Sequence, residues 1–378
     1  MRVAYLSMGN PRDRSNWSGT PFFALQEMQR RLPDLAVIET PRLDGLTGRL
    51  VGPSRRLGLD ITRNPLVQRC YAQSIEGQLQ SFRPDAVLAV GGAYKLARIS
   101  DRWPVVFVSD GLFCSVVDYY AKFRALSPAT RQRAMRLERD FTRPASHRFA
   151  LMSQWAADTA MAAHSIPASR VRVVPIGANL EQDPGRSWID RAKPALDLLW
   201  VGVDWQRKGG AVLLAAFAAL RERMPQARLH IVGVTPPQAQ DQPGVTVHGY
   251  LRKSDPAERE KLLNLFASAF LFVMPSREEA FGLVYCEAAA FGVPSIAYRT
   301  GGVTTIVDDG RTGLLLPMDA APVDFGDAIL PLWNDRGRYD AMRRAARERY
   351  ESVLNWTAWG DAIEQELALA ARTGKAFA

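Results

Sequence analysis

The run Ala269-Phe270-Leu271-Phe272-Val273-Met274, continued by Pro275-Ser276-Arg277-Glu278-Glu279-Ala280-Phe281-Gly282 and Leu283-Val284-Tyr285-Cys286-Glu287, decides how the chain is read. Ala269 to Met274 reads as a buried strand and Leu283 to Phe291 as a helix, with a polar loop between them. A strand that feeds a helix in this way is the unit of an open parallel sheet, in which ligands sit beyond the carboxyl ends of the strands. Glu279 falls in that loop and Glu287 on the helix, eight positions further on. Gly282 lets the backbone approach a diphosphate, and the helix start at Leu283 offers unpaired N–H groups and partial positive charge. Each carboxylate can accept two hydrogen bonds from a vicinal diol, one diol being ribose and the other a hexose. Taken alone, the acids read rather as a solvated loop and an exposed helix position, because charged residues are mostly exposed.

Strand-like and helical runs alternate along the whole chain: Arg2–Met8, Val105–Ser109, Val171–Val174 and Leu198–Gly202 read as strands. Such alternation means parallel sheets, and 378 residues are enough to bury two cores. The stretch Glu181–Pro194, rich in Pro, Gly and charge, reads as the linker between two open sheets of similar size. A second cluster lies after Leu198–Gly202, where Asp204-Trp205-Gln206-Arg207-Lys208-Gly209-Gly210 forms the turn before an apolar helix. Arg207 and Lys208 would offset the repulsion between a diphosphate and the two glutamates and would stabilise a departing nucleotide diphosphate. Arg207 also fits a bland reading, an arginine covering a helix surface.

Pro275-Ser276, Glu279 to Glu287 around Phe281-Gly282, Gly292-Val293-Pro294, Gly301-Gly302 and Asp309-Gly310-Arg311-Thr312-Gly313-Leu314 stand in one order. This string resembles the signature of the retaining glycosyltransferases of family 4. The resemblance implies an α/β fold of the GT-B type: two doubly wound, Rossmann-like parallel-sheet domains facing a cleft. They would cover 1–180 on the acceptor side and 195–351 on the nucleotide-sugar side, with the last helix, about 352–378, returning to complete the first. It assigns the donor sugar to Glu279 and the ribose to Glu287, with Phe281, Gly282 and Leu283 beside the diphosphate. Lys208 matches the family lysine. Many members carry Gly-Arg where this chain has Gly202-Val203, so Arg207 is the candidate substitute.

The implied reaction moves a sugar from a UDP- or GDP-linked donor to a hydroxyl acceptor with retention of configuration, using no metal and no bound cofactor. The expected acceptor is a saccharide or a lipid-linked glycan in cell-surface polysaccharide or glycolipid assembly. Two alternatives stay open, a sugar-nucleotide epimerase on the same fold and a nucleotide-sugar-binding protein impaired in turnover. His248-Gly249-Tyr250-Leu251 is expected near the base, with Tyr250 a donor contact. In the N-terminal half, Thr20 is the expected helix cap, with Pro21 at the first helical position. By resemblance Gly19 faces the donor phosphates or the acceptor, and a pure capping role competes with that. Asp110, at the end of Val105–Ser109, could hold the acceptor hydroxyl or take its proton, or simply form an Asp-Gly turn.

Cys70, Cys114 and Cys286 show no paired or metal-binding spacing, and no charged-then-apolar leader opens the chain, so the expectation is a reducing cytoplasm. The apolar run Ala211–Leu220 falls far short of the roughly 20 residues that span a bilayer. The net charge is +9, with bases gathered between Lys122 and Arg148. A helix over Ser127–Arg143 would place Leu126, Thr130, Ala134, Leu137 and Phe141 in one stripe and Arg136, Arg139 and Arg143 in a neighbouring one. The basic stripe suits an anionic membrane face or an acidic acceptor, and equally a solvated surface. No nucleic-acid motif accompanies it, and nucleic acid is not an expected partner.

Overall fold

The computed structural model describes residues 1–189 and 193–377. The chain forms two compact units, Met1–Asn179 joined by the stretch from Trp356 onward, and Leu180–Asn355.

The first unit holds a six-stranded sheet in the order β2-β1-β3-β4-β5-β6, built from β1 (Val3–Ser7), β2 (Leu35–Ile38), β3 (Ala86–Val90), β4 (Val105–Ser109), β5 (Arg148–Leu151) and β6 (Val171–Val173). Every pairing is parallel. Central strands β1, β3 and β4 are buried at each position, as continuous apolar runs must be when helices cover both faces of a sheet. The second unit repeats the plan in the order β12-β11-β10-β7-β8-β9, from β7 (Asp197–Val201), β8 (Arg228–Val232), β9 (Val245–Gly249), β10 (Leu271–Val273), β11 (Ser295–Tyr298) and β12 (Gly313–Leu316). Strand β10 is shorter than the apolar run Ala269–Met274, although pairing continues on both sides, with Phe270 N bonded to Asp197 O (2.7 Å) and Met274 N to Ile296 O (3.1 Å). In each sheet the chain reverses its direction of growth once, between β1 and β3 and between β7 and β10. Diverging loops at such a point leave a crevice beyond the carboxyl ends of the strands.

The helix Trp356–Phe377 belongs to the first unit, as its apolar face predicts: Trp359, Ile363, Leu367 and Ala370 are buried. Arg31, at the end of the Thr20–Arg31 helix, binds it through Asp361 (2.6 Å), Glu364 (2.7 Å) and the Thr357 carbonyl (2.9 Å). The helix Pro128–Thr142 is capped by Ser127 Oγ, which accepts from Thr130 N, and buries Leu126, Thr130, Ala134, Leu137 and Phe141 while Arg136, Arg139 and Arg143 stay exposed.

One expectation needs correction. Thr20 is not the helix cap: it is the first helical residue and is buried, and the cap is Gly19, at φ 86°, with no side-chain bond. The preceding turn is left-handed, which leaves Thr20 no extended backbone from which to cap. Glu181–Pro194 lies between β6 of the first sheet and β7 of the second, as expected of the linker, and several of its charges are paired within the second unit. Glu181 pairs with Arg259 (3.1 Å), Asp183 with Arg347 (2.6 Å), and Arg186 with Glu351 (2.9 Å); residues 190–192 of this stretch lie outside the described residues. No helix among the described residues is long and apolar enough to cross a membrane.

Candidate active site

Beyond the ends of β7 and β10, two loops are pressed together by glycines. A Cβ on Gly209 would lie 1.9 Å from the Pro275 carbonyl oxygen, so only glycine allows the loop after β7 to seat on the loop after β10. The contact brings Lys208 and Arg207 to Glu279. Lys208 Nζ donates to Glu279 Oε2, while Arg207 lies 3.6 Å from the same oxygen and donates to the Glu278 carbonyl at 3.0 Å. Arg207 is also tied to Asp204, its Nε at 3.3 Å from Oδ2. Val203 is exposed, and Arg207 reaches the Glu279 carboxylate.

The downstream Gly301-Gly302 has a physical role in this arrangement. Gly302 N donates to the Glu279 carbonyl at 3.0 Å, and a Cβ on Gly302 would stand 2.0 Å from the Ala280 oxygen. Gly282, at φ 97°, caps the Leu283–Ala290 helix, and a Cβ there would meet the Tyr285 ring at 2.6 Å and Glu279 Cγ at 3.1 Å. Glu279 is thus fixed through its backbone by one glycine and given room by another. Phe281 is buried and Leu283 half-buried at the helix start. The Asp309–Leu314 stretch shapes the entry to β12: Asp309 Oδ1 accepts from Leu315 N at 2.9 Å, and Gly313 packs on Ser295.

Glu287 is buried one turn into the helix, and its carboxylate accepts from Lys253 Nζ. Sequence reasoning missed Lys253, which comes from the loop after edge strand β9; the only signal was a cation three residues past Tyr250. Tyr250 itself is 66% exposed at the end of β9. Two residues earlier, His248 stands ring to ring with His230, with Nδ1 of His230 3.1 Å from Nε2 of His248. Burial first, then His230 and Lys261, hold His248 down at about 4, and burial also lowers His230.

In the first unit, Gly19 follows β1 and Asp110 follows β4, both at the carboxyl edge of the sheet. Lys95, after β3, is buried against the Ser7 carbonyl (3.0 Å), Thr40 Oγ1 (3.2 Å) and Asp44 Oδ2 (3.0 Å), and its pKa is lowered by burial. Glu138 caps the chain just past Asp110: its carboxylate accepts from Phe113 N, from Cys114 N at 2.9 Å and from His164 Nε2 at 2.8 Å. Cys114, Glu138 and His164 therefore gather their ligand atoms within 4.8 Å of one another, a cluster that spacing could not show because the residues sit on three separate segments. Burial and the charge of Glu138 raise the Cys114 thiol far above its ordinary value, and the carboxylate oxygens are already engaged by donors.

The six-stranded parallel sheet, with a Lys–Arg–Glu cluster, glycine-seated loops and a helix start at its switch point, is a Rossmann-like unit, and residues 195–335 match the family described as glycosyl transferases group 1. The matched residues lie within the second unit. Among curated proteins the chain is similar to D-inositol 3-phosphate glycosyltransferases, 33% identical to that of Kribbella flavida over 48% of this chain and 46% of the relative, and 35% identical to that of Nocardiopsis dassonvillei over 50% and 48%. The matched segments span about half the length of those relatives. Over nearly the whole chain the fold is that of solved GT-B glycosyltransferases. Sucrose-phosphate synthase from Thermosynechococcus elongatus superposes with a TM-score of 0.66 at 19% identity, covering 97% of this chain and 98% of that one. Anabaena HepE in complex with UDP gives 0.67 at 16% identity, covering 97% and 100%.

Proposed function

We propose that the protein transfers a sugar from a nucleotide-diphosphate sugar to a hydroxyl acceptor with retention of anomeric configuration. The observation that carries this reading is the meeting of Lys208 and Arg207 with Glu279 at the switch point of the second sheet, with Glu287 one turn into the adjoining helix. In the donor complex Glu279 accepts from sugar hydroxyls and Glu287 from the ribose diol, which frees the cations for the diphosphate. As the bond from the anomeric carbon to the diphosphate oxygen breaks, Arg207 and Lys208 stabilise the leaving charge. The acceptor oxygen bonds to that carbon on the departing face and its proton passes to the diphosphate. Two cations and the helix start at Leu283 supply the charge stabilisation, so no metal enters the scheme. UDP-glucose is the donor to try first, because HepE is solved in complex with it. The exposed arginines of the Pro128–Thr142 helix favour an acidic or lipid-linked acceptor.

The test is a thermal-shift screen of UDP, GDP and other nucleoside diphosphates, followed by turnover of the matching sugar donor with and without acceptor. A ligand at 100 times its dissociation constant adds about 2.7 kcal/mol of stability. Product formation that survives EDTA, with an anomeric proton coupling matching the donor's, is the expected result. No shift with any nucleotide would end the reading, and an inverted product would end the retaining mechanism. Conversion of donor without acceptor into an epimer would favour the epimerase.

A further inference from the structure

The turn after β1 holds its backbone in an unusual shape. Trp17 (φ 45°, ψ 52°), Ser18 (φ 56°, ψ 23°) and Gly19 (φ 86°, ψ −1°) are consecutive left-handed residues, and two of them carry side chains that disfavour that region. Such strain persists only where surrounding structure over-determines it, and it gathers at functional sites. The turn stands at the switch point of the first sheet: the Trp17 ring lies on Gly91 just past β3, where a Cβ would be 3.1 Å from it.

One side chain holds this turn. Asn179 is buried, with Nδ2 donating to the Ser18 carbonyl at 2.6 Å and Oδ1 accepting from Trp356 Nε1 at 3.2 Å. A Cβ at Gly19 would press on the Arg14 carbonyl at 3.3 Å and on Asn179 Nδ2 at 3.4 Å. Asn179 is also the last residue of the first unit before the chain enters the second, and Trp356 is the first after it returns. Trp356 in turn stacks on Phe23 of the helix that the turn opens, at 6.1 Å between ring centres. The two passages of the chain between units therefore end on the amide that grips the strained turn.

We infer that Asn179 is a positioning residue: through the Ser18 carbonyl and Trp356 it holds the Trp17–Gly19 turn, at the switch point of the first sheet, in the one conformation that the first unit's part in the reaction requires. The inference rests on the proposed transferase reading for its kinetic consequence and on the hydrogen bonds alone for its structural one. Asn179→Ala removes both bonds. Asn179→Asp keeps the acceptor for Trp356 and sets an anionic oxygen against a carbonyl. Trp356→Phe removes one bond while keeping the ring, and serves as the variant that folds if the others do not.

In Asn179→Ala, amide hydrogen exchange over residues 17–20 should rise at least tenfold, while the Leu283–Ala290 helix exchanges as before. With UDP-glucose, kcat/KM should fall at least tenfold at a temperature well below unfolding, Asn179→Asp should match it, and Trp356→Phe should show a smaller fall. Added to Gly19→Ala, the Asn179→Ala change should cost little more, because both act on one turn. Unchanged exchange over residues 17–20 would overturn the inference whatever the protein catalyses. Faster exchange with normal kcat/KM, or additive losses in the double variant, would overturn its positioning role. Failure of the transferase reading would be seen separately, as wild-type protein that neither turns over a sugar nucleotide nor is stabilised by one.

Discussion

Gly209→Ala tests whether the candidate site is assembled by backbone contact. At φ 75°, an alanine pays the left-handed penalty, and its Cβ would also lie 1.9 Å from the Pro275 oxygen and 2.6 Å from its carbonyl carbon. Gly310 offers a matched control: its φ is 76°, and nothing lies within 4 Å of a Cβ built there. Gly310→Ala should therefore lose only about 1–2 kcal/mol from backbone conformation. Gly209→Ala adds a forced displacement of backbone against backbone, for which overpacking data suggest a further ~1–3 kcal/mol. The expected total is about 2–5 kcal/mol, or roughly 4–20 °C for a unit of this size. Thermal unfolding by circular dichroism measures it, with UDP present and absent. The displaced loop should also carry Lys208 and Arg207 away from Glu279, so stabilisation by UDP should shrink in Gly209→Ala and persist in Gly310→Ala. If the two variants unfold at the same temperature and respond alike to UDP, the two loops are not seated on each other as described.

Glu287→Ala should raise the donor KM about tenfold or more with kcat little changed, whereas Glu279→Ala should chiefly lower kcat, since a ribose contact is uniform binding and a sugar contact positions the reacting carbon; steady-state kinetics with saturating acceptor distinguishes them, and normal constants in both would refute the assignment. His248 should make stability pH-dependent. Its folded pKa of about 4 lies below the ordinary 6.5, so stability is full above pH 6.5 and falls as the pH drops toward 4, where the unfolded chain binds the proton more readily. His248→Gln should flatten the melting temperature across that window, and unchanged slopes would refute the burial argument. Changing Arg136, Arg139 and Arg143 together to Gln should reduce sedimentation with anionic vesicles, as should added salt; native protein that never sediments at low salt would leave these arginines as solvated surface.

The sheets were legible because buried parallel strands are written as continuous apolar runs, and the Glu279 loop because its glycines and carboxylates are contiguous. Features assembled from distant segments were not. Lys253 reaches Glu287 from a loop thirty-four positions away, and Asn179 meets Ser18 across 161. Neither Lys253 nor the Glu138–His164–Cys114 group leaves a spacing to read. Glu181–Pro194 was legible as the stretch between the sheets but its ion pairs were not, since only the fold supplies Arg259, Arg347 and Glu351 as partners. Thr20 was misread because cap preference is a local rule, overridden here by a left-handed turn held by Asn179, 161 positions away from Ser18.

Each glutamate of the candidate site holds a lysine of its own, Lys208 on Glu279 and Lys253 on Glu287. A ligand entering such a site meets charges already spent on one another, so association becomes an exchange of partners. Pyrophosphate alone would have to strip cations from buried carboxylates and leave those carboxylates bare, which is unfavourable. An intact sugar nucleotide brings hydroxyls for both acids along with phosphate for the cations, so every group displaced finds a replacement. A site paired in this way would discriminate against small phosphates, and its affinity for a sugar nucleotide would depend on the neutral ends of that ligand at least as much as on its anionic middle.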